Sequence, residues 1–114
     1  MQIIKGQNAV EDINSDKCKV FGYSFEEKDM DTCIAVITGR YPDSGYCKNV
    51  VCKELIYVLE GSGKLYFEDK AVDFSEGDSV WISANEKYYW DTNYCKASIT
   101  SSPAWYKEQY EMVK

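Results

Sequence analysis

Between Cys33 and Thr100 short apolar runs give way to turn-forming residues again and again. The repeat is roughly 8 to 12 positions, the spacing at which short strands and tight turns alternate in all-β proteins. Cys33-Ile-Ala-Val-Ile-Thr38 is a continuous apolar run of strand length, followed by Gly39-Arg-Tyr-Pro-Asp-Ser-Gly45, which is turn chemistry. The segments Tyr46 to Cys52, Glu54 to Leu59, Lys64 to Glu68, Ala71 to Phe74, Ser79 to Ile82, Tyr88 to Trp90 and Cys95 to Thr100 read as further strands. Between them lie Glu60-Gly-Ser-Gly63, read as a hairpin-type turn, then Asp69-Lys70, Ser75-Glu-Gly-Asp78 and the loop Ser83 to Lys87. Upstream, Gln2 to Lys5 and Lys19 to Phe25 are strand-like, and Glu26, Glu27, Asp29 and Asp31 mark a loop or solvated edge. Trp105 to Met112 has the composition for a helical turn or two. Such a pattern closes as a sandwich or a barrel.

Ten Tyr and three Trp in 114 residues reinforce the strand reading, since aromatic and β-branched residues fit a pleated surface. The length allows one domain, residues 1–114, with a barrel core over about residues 33–100. A net charge of −6, with twelve lysines and Arg40 scattered among carboxylates, offers no basic face for nucleic acid. No apolar stretch approaches the ~20 residues of a membrane helix, and Met1-Gln-Ile-Ile-Lys5-Gly6 has no signal-peptide core. The cysteines Cys18, Cys33, Cys47, Cys52 and Cys95 are odd in number and form no CxxC pair. Reduced, buried thiols and a cytoplasmic location are the expectation.

Two segments carry a family resemblance. Glu54-Leu-Ile-Tyr-Val-Leu-Glu-Gly-Ser-Gly63 resembles the end of the first cupin motif, and Gly77-Asp-Ser-Val-Trp-Ile82 the opening of the second. The resemblance extends over about Tyr46 to Thr100, and Ser102-Pro-Ala-Trp105 is similar to the ending of many small single-domain cupins. It implies an all-β fold: a cupin-type double-stranded β-helix, or jelly-roll barrel, with a short C-terminal tail. The family's first motif places two histidines ahead of its glutamate. Here those positions fall on Lys48 and Val50 in the common spacing, or Cys47 and Asn49 in the longer one. In the second motif the usual proline falls on Ser83, the glycine on Asn85 and the third metal-binding histidine on Tyr88. The chain contains no histidine, and of the four metal-ligand positions only Glu54 keeps its residue type.

Imidazoles suit divalent metals because they are neutral donors, and one carboxylate with one phenol does not replace three of them. A thiolate site through Cys47 and Cys52 matches no familiar zinc spacing. No metal and no cofactor are therefore expected. In a barrel alternate residues point inward, so Glu54 and Ile56 share a side, as do Tyr88 and Trp90. With Lys48 or Asn49, according to register, they would line a pocket of one carboxylate, one phenol, an indole and aliphatic walls. The leading expectation is metal-independent binding of a small polar ligand, a carbohydrate or a carboxylate. The alternatives are a metal-free sugar isomerase or epimerase using Glu54 and Tyr88, and a dimeric accessory module whose barrel is filled. Alternation also sends Trp81 and Tyr57 outward, and with Trp105 and Tyr106 they make an aromatic surface suited to a homodimer.

Overall fold

The computed structural model describes all 114 residues and consists of ten β-strands with two short 3-10 turns. The strands are β1 (Val10–Ser15), β2 (Cys18–Tyr23), β3 (Asp31–Ile37), β4 (Arg40–Tyr41), β5 (Tyr46–Asn49), β6 (Lys53–Phe67), β7 (Ala71–Ser75), β8 (Ser79–Ile82), β9 (Tyr88–Ser102) and β10 (Tyr110–Val113). The turns are Gly6–Asn8 and Lys107–Gln109. All strand pairs are antiparallel.

The two fifteen-residue strands, β6 and β9, pair along their whole length, from Lys53↔Ser102 to Phe67↔Tyr88. β9 carries β3 on its other edge and, further along, β4 and β5, while β6 carries β8 and β7. One bent ribbon thus supports both walls of a jelly roll. The bends are visible in the side-chain alternation. Along β6 the buried positions are Glu54, Ile56 and Val58, then Leu65, and along β9 they are Tyr88, Trp90 and Thr92, then Cys95, Ala97, Ile99 and Ser101. Both strands change parity where their register shifts, between Val58 and Glu60 and between Ser62 and Lys64. A bulge of this kind inserts an extra residue and turns the strand.

That geometry corrects the reading of Glu60-Gly-Ser-Gly63 as a hairpin turn and of residues 91–94 as a break: both lie inside continuous strands. Glycine is needed here for contact, not reversal. Gly61 has φ +87°, and a Cβ there would collide with the Tyr94 carbonyl oxygen and come within 2.9 Å of the Cys95 Cα. Gln2 to Lys5, expected as a strand, forms none. The tail corrects the helical expectation as well. It makes a single 3-10 turn and then β10, which pairs with β5 through Tyr110↔Asn49 to Val113↔Tyr46. β1, β4 and β10 were not foreseen, because none has a clear apolar pattern of its own; β4 and β10 are defined by partners distant in sequence, and β1 by a hairpin with β2.

The core is one cluster that includes Ile37, Ile56, Val58, Leu65, Ile82 and Trp90. Phe74 meets the Trp90 ring edge-on, with centroids 5.5 Å apart, an arrangement that suits the ring quadrupoles. All five cysteines are free, and four of them are buried. No helix is long and apolar enough to cross a membrane. Gly61→Ala is expected to destabilise the protein by about 2 to 4 kcal/mol, from left-handed strain plus the steric conflict with β9. Urea unfolding measures it, and a loss below ~0.5 kcal/mol would contradict the bend described here.

Candidate functional site

β5 brings Cys47 and Asn49 to the barrel interior and leaves Lys48 facing outward. Cys47 is 1% exposed and Asn49 2%, whereas Lys48 forms an ion pair with Glu111 of β10 at 3.7 Å. The inward pair at the family's histidine positions is thus Cys47 and Asn49. Neighbouring strands supply Glu54 from β6 and Tyr88 from β9, and the Tyr88 hydroxyl donates to Glu54 Oε1 at 2.8 Å. Asn49 is the second side-chain partner of Glu54. The Cys47 thiol donates to the Tyr88 carbonyl at 3.4 Å, and Tyr41 and Tyr110 pair their hydroxyls at 3.3 Å close by.

Glu54 and Tyr88 are therefore brought together, with Asn49 beside them. Ile56 and Trp90 belong to the apolar cluster beneath, Trp90 against Phe74. Lys48 stands apart from Glu54, on the outer side. Two groups that the sequence reading did not assign to the site join it. Asp31 and Cys33 lead the alternation Asp31, Cys33, Ala35, Ile37 along β3, whose last two members are buried. Both remain partly exposed, and Asp31 adds its charge to the surroundings of Glu54. The tail supplies the others. Trp105 Nε1 donates to Asn49 Oδ1 at 3.0 Å, Gln109 Nε2 donates to the same oxygen at 2.7 Å, and the Trp105 backbone N–H donates to Asp31 at 3.2 Å. The strand alternation could have revealed Asp31. Nothing local to the sequence marks Gln109.

Burial raises the Glu54 carboxyl above its ordinary 4.5, the Tyr88 and Asn49 hydrogen bonds pull it back, and the negative charge of Asp31 pushes it up again. Burial likewise raises Asp31, opposed by the Trp105 N–H. No lysine or arginine acts on either carboxyl. Burial holds Tyr88 well above its ordinary value of 10.0, so it is a neutral donor at physiological pH. Burial also pushes the Cys33 thiol up to about 12 and the Cys47 thiol to about 11. A thiol at those values stays protonated at neutral pH and is a poor nucleophile. No group of three or more His, Cys, Asp or Glu side chains is arranged to hold a metal ion.

Comparison with known proteins agrees with this architecture. Residues 50–96 match the model of the cupin domain family. Among solved structures, a nucleoside dehydratase of Streptomyces is similar at a TM-score of 0.85 and 16% identity, covering 100% of this chain and 92% of its own. Variants of that enzyme have been solved with uridine. The polyketide cyclase RemF from Streptomyces resistomycificus is similar at 0.78 and 13%, covering 100% and 86%. An RmlC-like cupin from Shewanella frigidimarina is similar at 0.75 and 16%, covering 91% and 92%. No curated protein matches by sequence. The fold is that of the jelly-roll barrels. The likeness to the cupin family itself is carried by residues 50–96, and the chain contains no histidine.

A carboxyl whose folded value lies above 4.5 binds its proton more tightly in the native state than in the unfolded one. Its contribution to stability is fully present below 4.5 and is lost as pH rises through the raised folded value. The thermal midpoint should therefore fall as pH increases above 4.5, and Glu54→Gln should flatten that part of the curve. Melting both proteins across the range by circular dichroism tests this, and superimposable pH dependences would refute it.

Proposed function

We propose that the barrel binds a small, hydroxyl-rich polar molecule at the end formed by Glu54, Asn49, Tyr88, Asp31 and Trp105, without a metal. The observation that carries this reading is a buried carboxyl held by the Tyr88 hydroxyl and the Asn49 amide, with no lysine or arginine acting on it, set beside partly exposed inward groups. A buried carboxyl is costly, and a sequence under no demand at this position would place an apolar residue there. Two carboxyls with no basic residue acting on them disfavour a carboxylate or phosphate ligand. They favour a neutral polyol, whose hydroxyls can donate to them while Trp105 offers an aromatic face. The binding of uridine by variants of the Streptomyces dehydratase is in keeping with a ligand of that kind. Calorimetric titration with uridine, hexoses and small carboxylates tests it. A neutral hydroxylated compound should bind, and Glu54→Gln should weaken it at least about tenfold, the scale of one charge-assisted hydrogen bond. Binding confined to carboxylates, or untouched in the variant, would defeat the reading.

The 2.8 Å contact between Tyr88 and Glu54 supports a second reading, acid–base chemistry on a bound sugar-like substrate. Tyr88→Phe would then keep the affinity and lose turnover, whereas a loss of both would assign Tyr88 to binding.

The outer sheet supports a homodimer as well. Trp81 is 56% exposed, Tyr57 47% and Leu55 46%, with Leu55 and Trp81 cross-strand neighbours. Trp81 stays exposed alongside the folded tail, in keeping with such a surface. Light scattering should give about twice the chain mass at tens of micromolar, and Trp81→Glu should halve it without unfolding the barrel. A monomeric wild-type protein would count against the dimer.

A further inference from the structure

The hydrogen bonds that run from the tail to Asn49, beside Glu54, have a direction, and the direction is forced. Gln109 is 3% exposed, and its Oε1 accepts from the backbone N–H groups of Val51 at 3.2 Å and Cys52 at 3.0 Å. Backbone N–H groups only donate, so the oxygen of the Gln109 amide must face them. Its Nε2 must then face Asn49, where it donates to Oδ1 at 2.7 Å. The Trp105 indole, also a donor only, meets the same Oδ1 at 3.0 Å. With two donors on its oxygen, Asn49 can turn only its Nδ2 toward Glu54. The Asn49 carbonyl oxygen of the main chain is held separately, by the Asn85 N–H at 2.7 Å. Asn85 itself stands at φ +70°, where the family's glycine falls.

We infer that Gln109 and Trp105 are positioning residues: they fix the Asn49 amide so that Glu54 always faces a donor and is presented to the barrel interior as an acceptor. This deepens the binding reading above and rests on Glu54 being the group that meets the ligand. The consequence for specificity is that a partner of Glu54 must itself bring a donor, a hydroxyl or N–H. Where that carboxyl is ionised, a carbonyl or ether oxygen in the same place would find no donor on it. The tail is then part of the site and not only a closing strand.

The test uses the full chain without ligand, so it can fail while the binding reading stands, and the reverse. In the wild type the Asn49 side-chain NH2 resonance is expected to lie downfield and to exchange slowly with water, because it is buried and donates to Glu54. Glu54→Gln should move it upfield. Gln109→Met and Trp105→Phe each remove one donor to Oδ1 without adding charge. Each single variant should shift the resonance part of the way. The double variant should shift it by more than the sum, with exchange at least tenfold faster. Backbone amide spectra establish that each variant is folded. A folded double variant that keeps the wild-type Asn49 signal would overturn the inference. If the double variant does not fold, two folded single variants with unchanged Asn49 signals would overturn it equally. A merely structural role for the tail predicts lower melting temperatures with that resonance unmoved.

Discussion

The ladder between β6 and β9 is the constraint on which the rest of the molecule depends. Each of these strands is fifteen residues long, and each belongs to both walls of the barrel. A flat pair of that length would place one set of side chains inside along its whole course. The coincident register shifts reverse that rule halfway, so the even-numbered residues at the Glu54 end of β6 and the odd-numbered ones beyond Val58 can both face the core. Everything attached to the ribbon inherits its geometry. β3 and β8 build the wall around Ile56 and Ile99, whereas β7 and β4 close the wall around Leu65 and Trp90. Gly61 matters because two backbones approach at the corner more closely than a Cβ allows.

Within that frame, the polar end of the barrel solves a problem that metal-binding cupins do not face. There, a cation balances the inward carboxylate. Here no lysine or arginine acts on Glu54, and its burial is offset by dipoles, the Tyr88 hydroxyl and the Asn49 amide. Dipoles are weaker than a charge, and the carboxyl accordingly stays above its ordinary titration range instead of falling below it. Asn49 in turn is dressed by Trp105 and Gln109, and Gln109 by the main chain of Val51 and Cys52. No buried side-chain nitrogen or oxygen is left without a partner. A fully satisfied network of this kind fixes geometry, which a binding site needs more than it needs stability.

The strands whose apolar pattern is local were legible in the sequence: Ser79 to Ile82 forms the strand it was read as, and Lys19 to Phe25 and Cys33 to Thr38 lie within a few residues of theirs. The alternation that places Glu54 and Ile56 inward, with Tyr57 and Trp81 outward, was legible for the same reason: period two is a property of the chain alone. What depended on distant contacts was not. Gly61 and Gly63 carry the composition of a hairpin turn, and only the presence of Tyr94 and Thr92 against them explains their use as a bend. Lys48 and Cys47 were equivalent candidates until β10 lay down against β5 and gave Lys48 the partner Glu111. Gln109 was invisible because its role lies in two backbone groups more than fifty residues away.

That last dependence has a structural consequence. In most small barrels a terminal tail can vary freely, since loops and termini carry little of the core. Here the tail contributes one strand to the sheet edge at β5 and two donors to the polar network, from a segment whose own residues are mostly exposed. Its attachment is therefore largely polar and directional, with Tyr110 packed against the core, and its two side-chain donors meet at one atom, Asn49 Oδ1. A network of this kind places part of the demand for precision on the C-terminal segment as well as on the barrel wall. The donors of Trp105 and Gln109 are in place only where the tail lies against β5, so the pairing of β10 and the order of the network around Asn49 belong together.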